Sequence, residues 1–299
     1  NSINNEQEYR HKFCKISSTS GGLQQAGIDC IVVNPGDVAT KDKERVYKTD
    51  RVDASKLARE LRSGNLDAIY VPDQVALADR SLVRLRSRLV KKQTRIKNQI
   101  KAMLRFHGVA MPGKFEGRHW SRPFLIWLTG LTNGDAPLQR SGSLALSMHL
   151  QELEQARARL LLITREIRSL ARSDRYRQRV EFLVSLPGIS TFSAMQWLSE
   201  LVEIKRFKNL DKLAGYVGLA PSTHRSGESG RDGGLTRRRN ATLRHALIES
   251  AWVAARNDPK LALDFARLCT RMPKNRAIIR IARKQLARIF YVLREEHAL

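Results

Sequence analysis

Asp79-Arg80-Ser81-Leu82-Val83-Arg84-Leu85-Arg86-Ser87-Arg88-Leu89-Val90-Lys91-Lys92-Gln93-Thr94-Arg95-Ile96-Lys97-Asn98-Gln99-Ile100 is the stretch on which the fold turns. Leu82, Leu85, Leu89, Ile96 and Ile100 recur in it at steps of 3, 4, 7 and 4. That is the a/d seam of a helix lying along a partner helix. A second seam follows in the same chain, with Leu146, Leu150, Leu153, Leu160 and Ile167 at steps of 4, 3, 7 and 7. Between the two lies Gly108 to Gly142, rich in Gly, Pro and Trp, which does not continue a helix. Two heptad helices around a breaker point to an antiparallel hairpin or a dimerising arm. A plain helical bundle is the competing reading.

Outward from this arm the texture changes on both sides. Upstream, Ile31-Val32-Val33, stopped by Asn34-Pro35, reads as a buried strand after a helix end at Leu23-Gln24-Gln25-Ala26. Thr49 reads as the cap of a helix that begins near Asp50 and ends before Gly64. Ile69-Tyr70-Val71 reads as a second short strand, ended by Pro72. Downstream, Val180 to Leu186 runs into Pro187-Gly188-Ile189, and a new helix begins near Thr191. Residues 241–256 and 276–294 read as two further amphipathic helices, with a glycine-rich basic loop, 222–239, ahead of them. The expected domains are 1–78, 79–172 and 173–299.

Composition narrows the partners. The 299 residues carry 54 Lys+Arg against 29 Asp+Glu, a formal +25, and 42% are hydrophobic. That much apolar surface builds a core and excludes wholesale disorder. No apolar run reaches ~18 residues, so no membrane span is expected, and no cationic leader opens the chain. Cys14, Cys30 and Cys269 are odd in number and far apart, so neither a disulfide framework nor a zinc site is expected, and a reducing cytoplasm is the default. The cations are concentrated: ten Lys/Arg and one acid in 79–105, nine and none in 267–294. Such an excess selects polyanions, nucleic acid first and a membrane surface a weaker second.

Three constellations could carry chemistry. Asp50 and Asp53, three apart, share one helix face, as oxygen ligands of Mg²⁺ do in many nucleases, although two acids on a surface helix are more often simply solvated. Leu186-Pro187-Gly188-Ile189 between two helices matches a helix-hairpin-helix turn, which offers backbone N–H groups to a DNA phosphate; ordinary helix corners also use Pro-Gly. The run Gly218 to Thr236 gathers hydroxyls, glycines and guanidinium groups. Arg225 and Arg231, with Arg237, Arg238 and Arg239, suit a phosphate clamp, and a flexible basic loop is the alternative.

Taken in order, these blocks resemble the 110-type insertion-sequence transposases. The resemblance spans roughly Leu23 to Glu249. It rests on Ala26-Gly27-Ile28-Asp29 through Pro35, on Lys48-Thr49-Asp50-Arg51-Val52-Asp53-Ala54, and on Leu57-Ala58-Arg59. In the second half it rests on Leu186-Pro187-Gly188-Ile189, Phe207 with Leu213-Ala214, Tyr216 to Ser222, and Ser226-Gly227 ahead of Gly233-Gly234-Leu235-Thr236. It implies a RuvC-like (ribonuclease H-like) domain with four acidic ligands joined to a C-terminal serine domain. Asp50 and Asp53 would be the third and fourth acids. Ser226 would be the nucleophile, with Ser222 and Ser229 as runners-up. It further implies DNA as substrate, Mg²⁺ as cofactor, a structured guide RNA and a homo-oligomer in a bacterial or archaeal cell, at the nucleoid.

One departure stands out. The family Glu should lie about a dozen residues before Leu23, where the chain reads Arg10-His11-Lys12; Glu6 and Glu8 stand in no matching context. The expectation is therefore an N-terminally truncated or decayed copy. The fold class expected is α/β plus mainly α: a partial ribonuclease H-like domain, a coiled-coil hairpin and a mostly helical domain with a helix-hairpin-helix. The function expected is metal-assisted transesterification of DNA by a serine nucleophile. A truncated remnant that binds DNA or RNA and cuts nothing is the alternative.

Overall fold

The computed structural model describes residues 22–23, 26–40, 49–115, 120–133, 138–226, 229–235 and 239–297, with the backbone alone over 221–226 and 229–235. Two compact units divide it, 1–73 and 74–299.

In the first unit, Ile31–Val33 and Ile69–Val71 do not form strands. Val33 and Ala68 make one isolated antiparallel bridge, with Ile69 N–H donating to the Val32 carbonyl at 2.7 Å. Ile31 is exposed and Val32 is buried. The apolar run thus has a partner on one edge and no sheet beneath it, which is too little for an independent ladder. The ribonuclease H-like sheet expected here is not seen among the described residues. Helix α1 (Asp50–Arg62) fits its reading: Thr49 Oγ1 accepts from Val52 N–H, Asp50 and Asp53 sit in the first turn, and Arg59 and Arg62 in the last. Acids at the N-terminus and bases at the C-terminus both favour the helix dipole.

The second unit is mostly helical. Helix α2 (Gln74–Phe106) and helix α4 (Gln139–Ala171) form the arm, and short α3 (Arg122–Gly130) stands between them. Arg86 bonds Thr164, and Lys92 pairs with Glu152, so rising numbers meet falling ones and the pair is antiparallel. Of the expected seams, Leu89, Ile96, Ile100, Leu146, Leu153 and Ile167 are buried, while Leu85 is exposed and Val83 takes the inward place. The stretch 108–142 is more than a breaker. Phe115, Phe124, Leu128 and Leu138 pack with Ile96, Ile100, Leu104 and Leu146 into a separate core at the far end of the arm.

Seven elements complete the unit in a first group: α5 (Arg177–Val184), α6 (Thr191–Leu201), α7 (Leu210–Val217), β1 (Pro221–Ser226), β2 (Ser229–Leu235), α8 (Ala241–Asn257) and α9 (Pro259–Cys269). Helix α10 (Lys274–Glu295) follows. Ser190, Asn209, Asn240 and Asp258 cap α6, α7, α8 and α9 with their side chains. Their core takes in Trp197, Leu213, Leu247 and Ile281 together with Val83 and Ile167 at the near end of the arm. Among the described residues, no helix is long and apolar enough to cross a membrane.

Candidate functional site

The carboxylate pair sits on the first turn of α1. Asp50 is exposed, Asp53 half-buried, and Asp53 N–H donates to the Thr49 carbonyl at 3.0 Å. Among the described residues, no group of three or more His, Cys, Asp or Glu is gathered to hold a metal ion. Asp50 and Asp53 therefore offer two oxygen ligands. That suits Mg²⁺, which is often held by one or two carboxylates with water and substrate phosphate around the rest. The Glu expected before Leu23 falls outside the described residues.

The basic loop is a hairpin in the structure. Strands β1 and β2 pair antiparallel, with Ser226 opposite Ser229, Arg225 opposite Gly230, His224 opposite Arg231 and Thr223 opposite Asp232. The register is irregular between Pro221 and Thr223, beside Ser222. Ser226 thus ends β1 at the tip, Ser229 begins β2, and Ser222 is near the root. The side chains of Ser226, Arg225 and Arg231, and all of Gly227, Arg237 and Arg238, lie outside the described residues. Arg239 is described. It packs on Gly218, where a Cβ would stand 2.4 Å from the Arg239 Cβ; Gly218 is left-handed at φ +88°. Burial, and then Arg239 nearby, push the pKa of Arg244 down, so cations converge at the hairpin root.

What fastens that root is a buried carboxylate. Glu200, on α6, is only 1% exposed. Arg84 of the arm grips it with both ends of its guanidinium, Nε to Oε1 at 2.6 Å and Nη2 to Oε2 at 2.8 Å. Arg80 Nε stands 3.9 Å from Oε2 and donates to the Ser199 carbonyl at 2.9 Å. Asn240, just past the hairpin, donates from Nδ2 to Glu200 Oε2 at 2.9 Å while its Oδ1 caps α8. Tyr216 adds its hydroxyl to the Glu200 carbonyl at 3.4 Å. Burial would raise the Glu200 pKa; the Arg84 hydrogen bonds and charge, then Asn240 and Arg80, outweigh it and hold the carboxyl below its ordinary value. Two residues on, Val202 takes φ +59° and ψ −63°, with Glu203 N–H bonded to the Leu201 carbonyl at 2.7 Å. A β-branched residue in such a tight turn is strained. Sequence reading missed this network. Its one signal is an acid inside Ala194–Leu201, a helix run buried at every position.

The turn at Pro187-Gly188 joins α5 to α6 as expected, and it is bound inward. Leu186 and Ile189 are core residues. The Pro187 carbonyl accepts from Gln285 Nε2 at 2.8 Å. Gly188 has φ +86°, and a Cβ there would meet the Ser250 carbonyl at 2.4 Å. On the α6 side, the Arg86 guanidinium lies 3.7 Å from the centre of the Phe192 ring. Burial, then Arg168, lower the pKa of Arg86.

Two family matches fall on these elements. A model of the IS116/IS110/IS902 transposase family matches residues 180–266, and a transposase model of the DEDD IS110 type matches 16–108, together more than half of the chain. The chain belongs to the IS116/IS110/IS902 transposase family. The first of those matches contains Glu200, the hairpin and Asn240, and the second contains Asp50, Asp53, Arg80 and Arg84. It is 32% identical over 245 residues to a putative transposase, y4qE, of Sinorhizobium fredii, covering 80% of this chain and 57% of the relative. A second putative transposase of that organism, y4rJ, is 28% identical, covering 81% of this chain and 64% of its own length. The transposase of insertion sequence element IS1111A from Coxiella burnetii is 25% identical, with 94% of this chain and 77% of the relative covered. The chain thus spans about three fifths of the length of these first two relatives.

Proposed function

We propose that the chain acts on DNA as an insertion-sequence recombinase, with Ser226 as the attacking nucleophile. The supporting observation is the hairpin that carries Ser226 at its tip and is braced at its root by Glu200 through Asn240. Ser226 Oγ forms a bond to phosphorus, the P–O bond to one sugar oxygen breaks, and that oxygen takes up the serine proton. One phosphoester replaces another, so no outside energy source is required. Arg225, Arg231, Arg237, Arg238 and Arg239 balance the charge that builds on the phosphoryl oxygens. Asp50 and Asp53 would hold Mg²⁺, which when bound would neutralise phosphate charge. The Pro187-Gly188 turn, engaged inward by Gln285 and Ser250, sets the entry of α6 and leaves any contact with the DNA backbone to its half-exposed outer side. A structured guide RNA and assembly into a homo-oligomer through the arm belong to the same proposal, on the strength of the family resemblance.

The test is a covalent adduct. The protein is incubated with Mg²⁺ and end-labelled DNA carrying an insertion-sequence end, then denatured in detergent. A labelled adduct is expected from the parent and from Ser222→Ala and Ser229→Ala, and none from Ser226→Ala. An adduct that persists in Ser226→Ala moves the nucleophile elsewhere. Salt-sensitive DNA binding with no adduct from any version favours the second reading, a non-cleaving nucleic-acid binder. That reading draws on Asp50 and Asp53 standing without a third potential metal ligand among the described residues.

A further inference from the structure

At the far end of the arm three cations cluster beside Trp120: Lys97 over its ring, Arg157 on its backbone carbonyl, and Lys101 next to Lys97. Lys97 and Lys101 lie four apart on one face of α2, and Arg157 of α4 reaches the same Trp120 as Lys97. Lys97 Nζ is 5.5 Å from the centre of the Trp120 ring, and Arg157 Nη2 donates to the Trp120 carbonyl at 3.2 Å. Trp120 itself is left-handed at φ +71°, a costly conformation for a residue with a Cβ. Its ring is fixed edge-on against the buried Phe124, centroids 5.4 Å apart. Among the described residues no carboxylate stands within ion-pair distance of Lys97, Lys101 or Arg157. Nearby on the same two helices, Lys92 does have one, Glu152 at 2.9 Å. Burial, then Arg157 and Lys101, pull the pKa of Lys97 down, as expected where like charges crowd without a counter-ion.

Crowded cations with no acid among them are unfavourable alone and become favourable around an anion. The α2 surface carries further exposed cations, Arg88, Lys91, Arg95 and Arg105, spaced so that they follow one face of the helix. An extended polyanion fits this pattern better than a small ion. We propose that Lys97, Lys101, Arg157 and Trp120 form a nucleic-acid contact on the arm, apart from the serine hairpin, with phosphodiester oxygens against the three cations and the indole flanking a base or sugar. Cations with an interleaved aromatic are what a strand of DNA or RNA needs, since each base has a face to stack. The inference rests on the nucleic-acid part of the proposed function and on none of its cleavage chemistry.

Fluorescence anisotropy tests it, with fluorescein-labelled 30-nucleotide probes of one sequence as single-stranded DNA, duplex DNA and single-stranded RNA. The parent, Lys97→Gln/Lys101→Gln/Arg157→Gln, and a control triple on the same arm, Arg140→Gln/Arg159→Gln/Arg165→Gln, are compared between about 50 and 200 mM salt. The arm triple should bind about tenfold more weakly at mid-range salt. Its slope of log K against log [salt] should be shallower by about 1–2, because fewer counterions are released. The control removes equal charge and should lose far less. Equal losses from the two triples would mean bulk charge alone, and would overturn the site. Lys101→Gln alone guards against misfolding: an unchanged slope in that folded variant also overturns it. Failure of the parent to bind any probe would sink the nucleic-acid reading itself, whereas parent binding unmoved by the arm variants sinks only the arm contact. Which probe shows the loss says whether DNA or RNA lies there.

Discussion

The near and far ends of the arm use the same residue types to opposite effect. At the near end, Arg80 and Arg84 of α2 converge on a carboxylate that is almost wholly buried. At the far end, Lys97 and Lys101 of the same helix face another cation, Arg157. The sequence shows one basic stripe. The fold divides it into cations committed to internal structure and cations left for something outside. Net charge therefore overstates what is available to a nucleic acid, and the usable part is identified by which bases lack an acid.

Removing the acid at the near end should have the largest effect on stability. Glu200→Ala removes the buried anion shared by Arg80 and the partly exposed Arg84 and, with water able to reach Arg84, should cost about 2–4 kcal/mol, read as a lower midpoint in urea at unchanged slope. A cost below about 1 kcal/mol would reduce the near end to an ordinary surface pair. Acid sharpens the same point. Glu200 has a folded pKa below its unfolded one, so its contribution is complete above the ordinary carboxylate range and is lost as pH falls through the lower, folded value. Between pH 6 and 3 the parent should lose urea resistance more steeply than Glu200→Gln. Parallel profiles would break the comparison. Next in size is Gly188→Ala, where a Cβ meets the Ser250 carbonyl in a left-handed backbone; about 1–3 kcal/mol is expected. At the far end, the Lys97/Lys101/Arg157 triple glutamine variant should change stability by no more than about 0.5 kcal/mol, and in the stabilising direction. A large loss there would make those cations structural as well.

The sequence was most readable where periodicity is long. Both arm helices follow from their seams, and α1 follows from Thr49 and its two acids. Leu85 failed because α2 meets a different neighbour near its base: it packs on α6 there, and the inward place passes to Val83. The strands at Ile31 and Ile69 failed because three β-branched or apolar residues specify a strand only where a sheet exists to receive them. The hairpin from Pro221 to Leu235 was read as a loop for the converse reason. Its strands are built of Ser, Gly, Arg and Asp, residues poor in β-propensity, and Asn240 anchors its root from outside it. Of the candidate site, the acids and the serine were legible as residue types. Glu200 was not, because Arg84 lies 116 residues before it and Asn240 lies 40 after.

One mechanical consequence follows from where Arg84 sits. Helix α2 has 33 residues, which makes it a rod about 50 Å long. Arg84 clamps it about a third of the way along, to the same carboxylate that steadies the exit of the hairpin. From Arg84 to the tip at Phe106 is about 33 Å, so a tilt of about 5° there would swing that tip by about 3 Å. A load on the tip is therefore felt as torque at the joint that Arg80, Arg84 and Val83 make with the near core, and the stiffness of that joint governs how faithfully movement at one end of the rod is transmitted to the other.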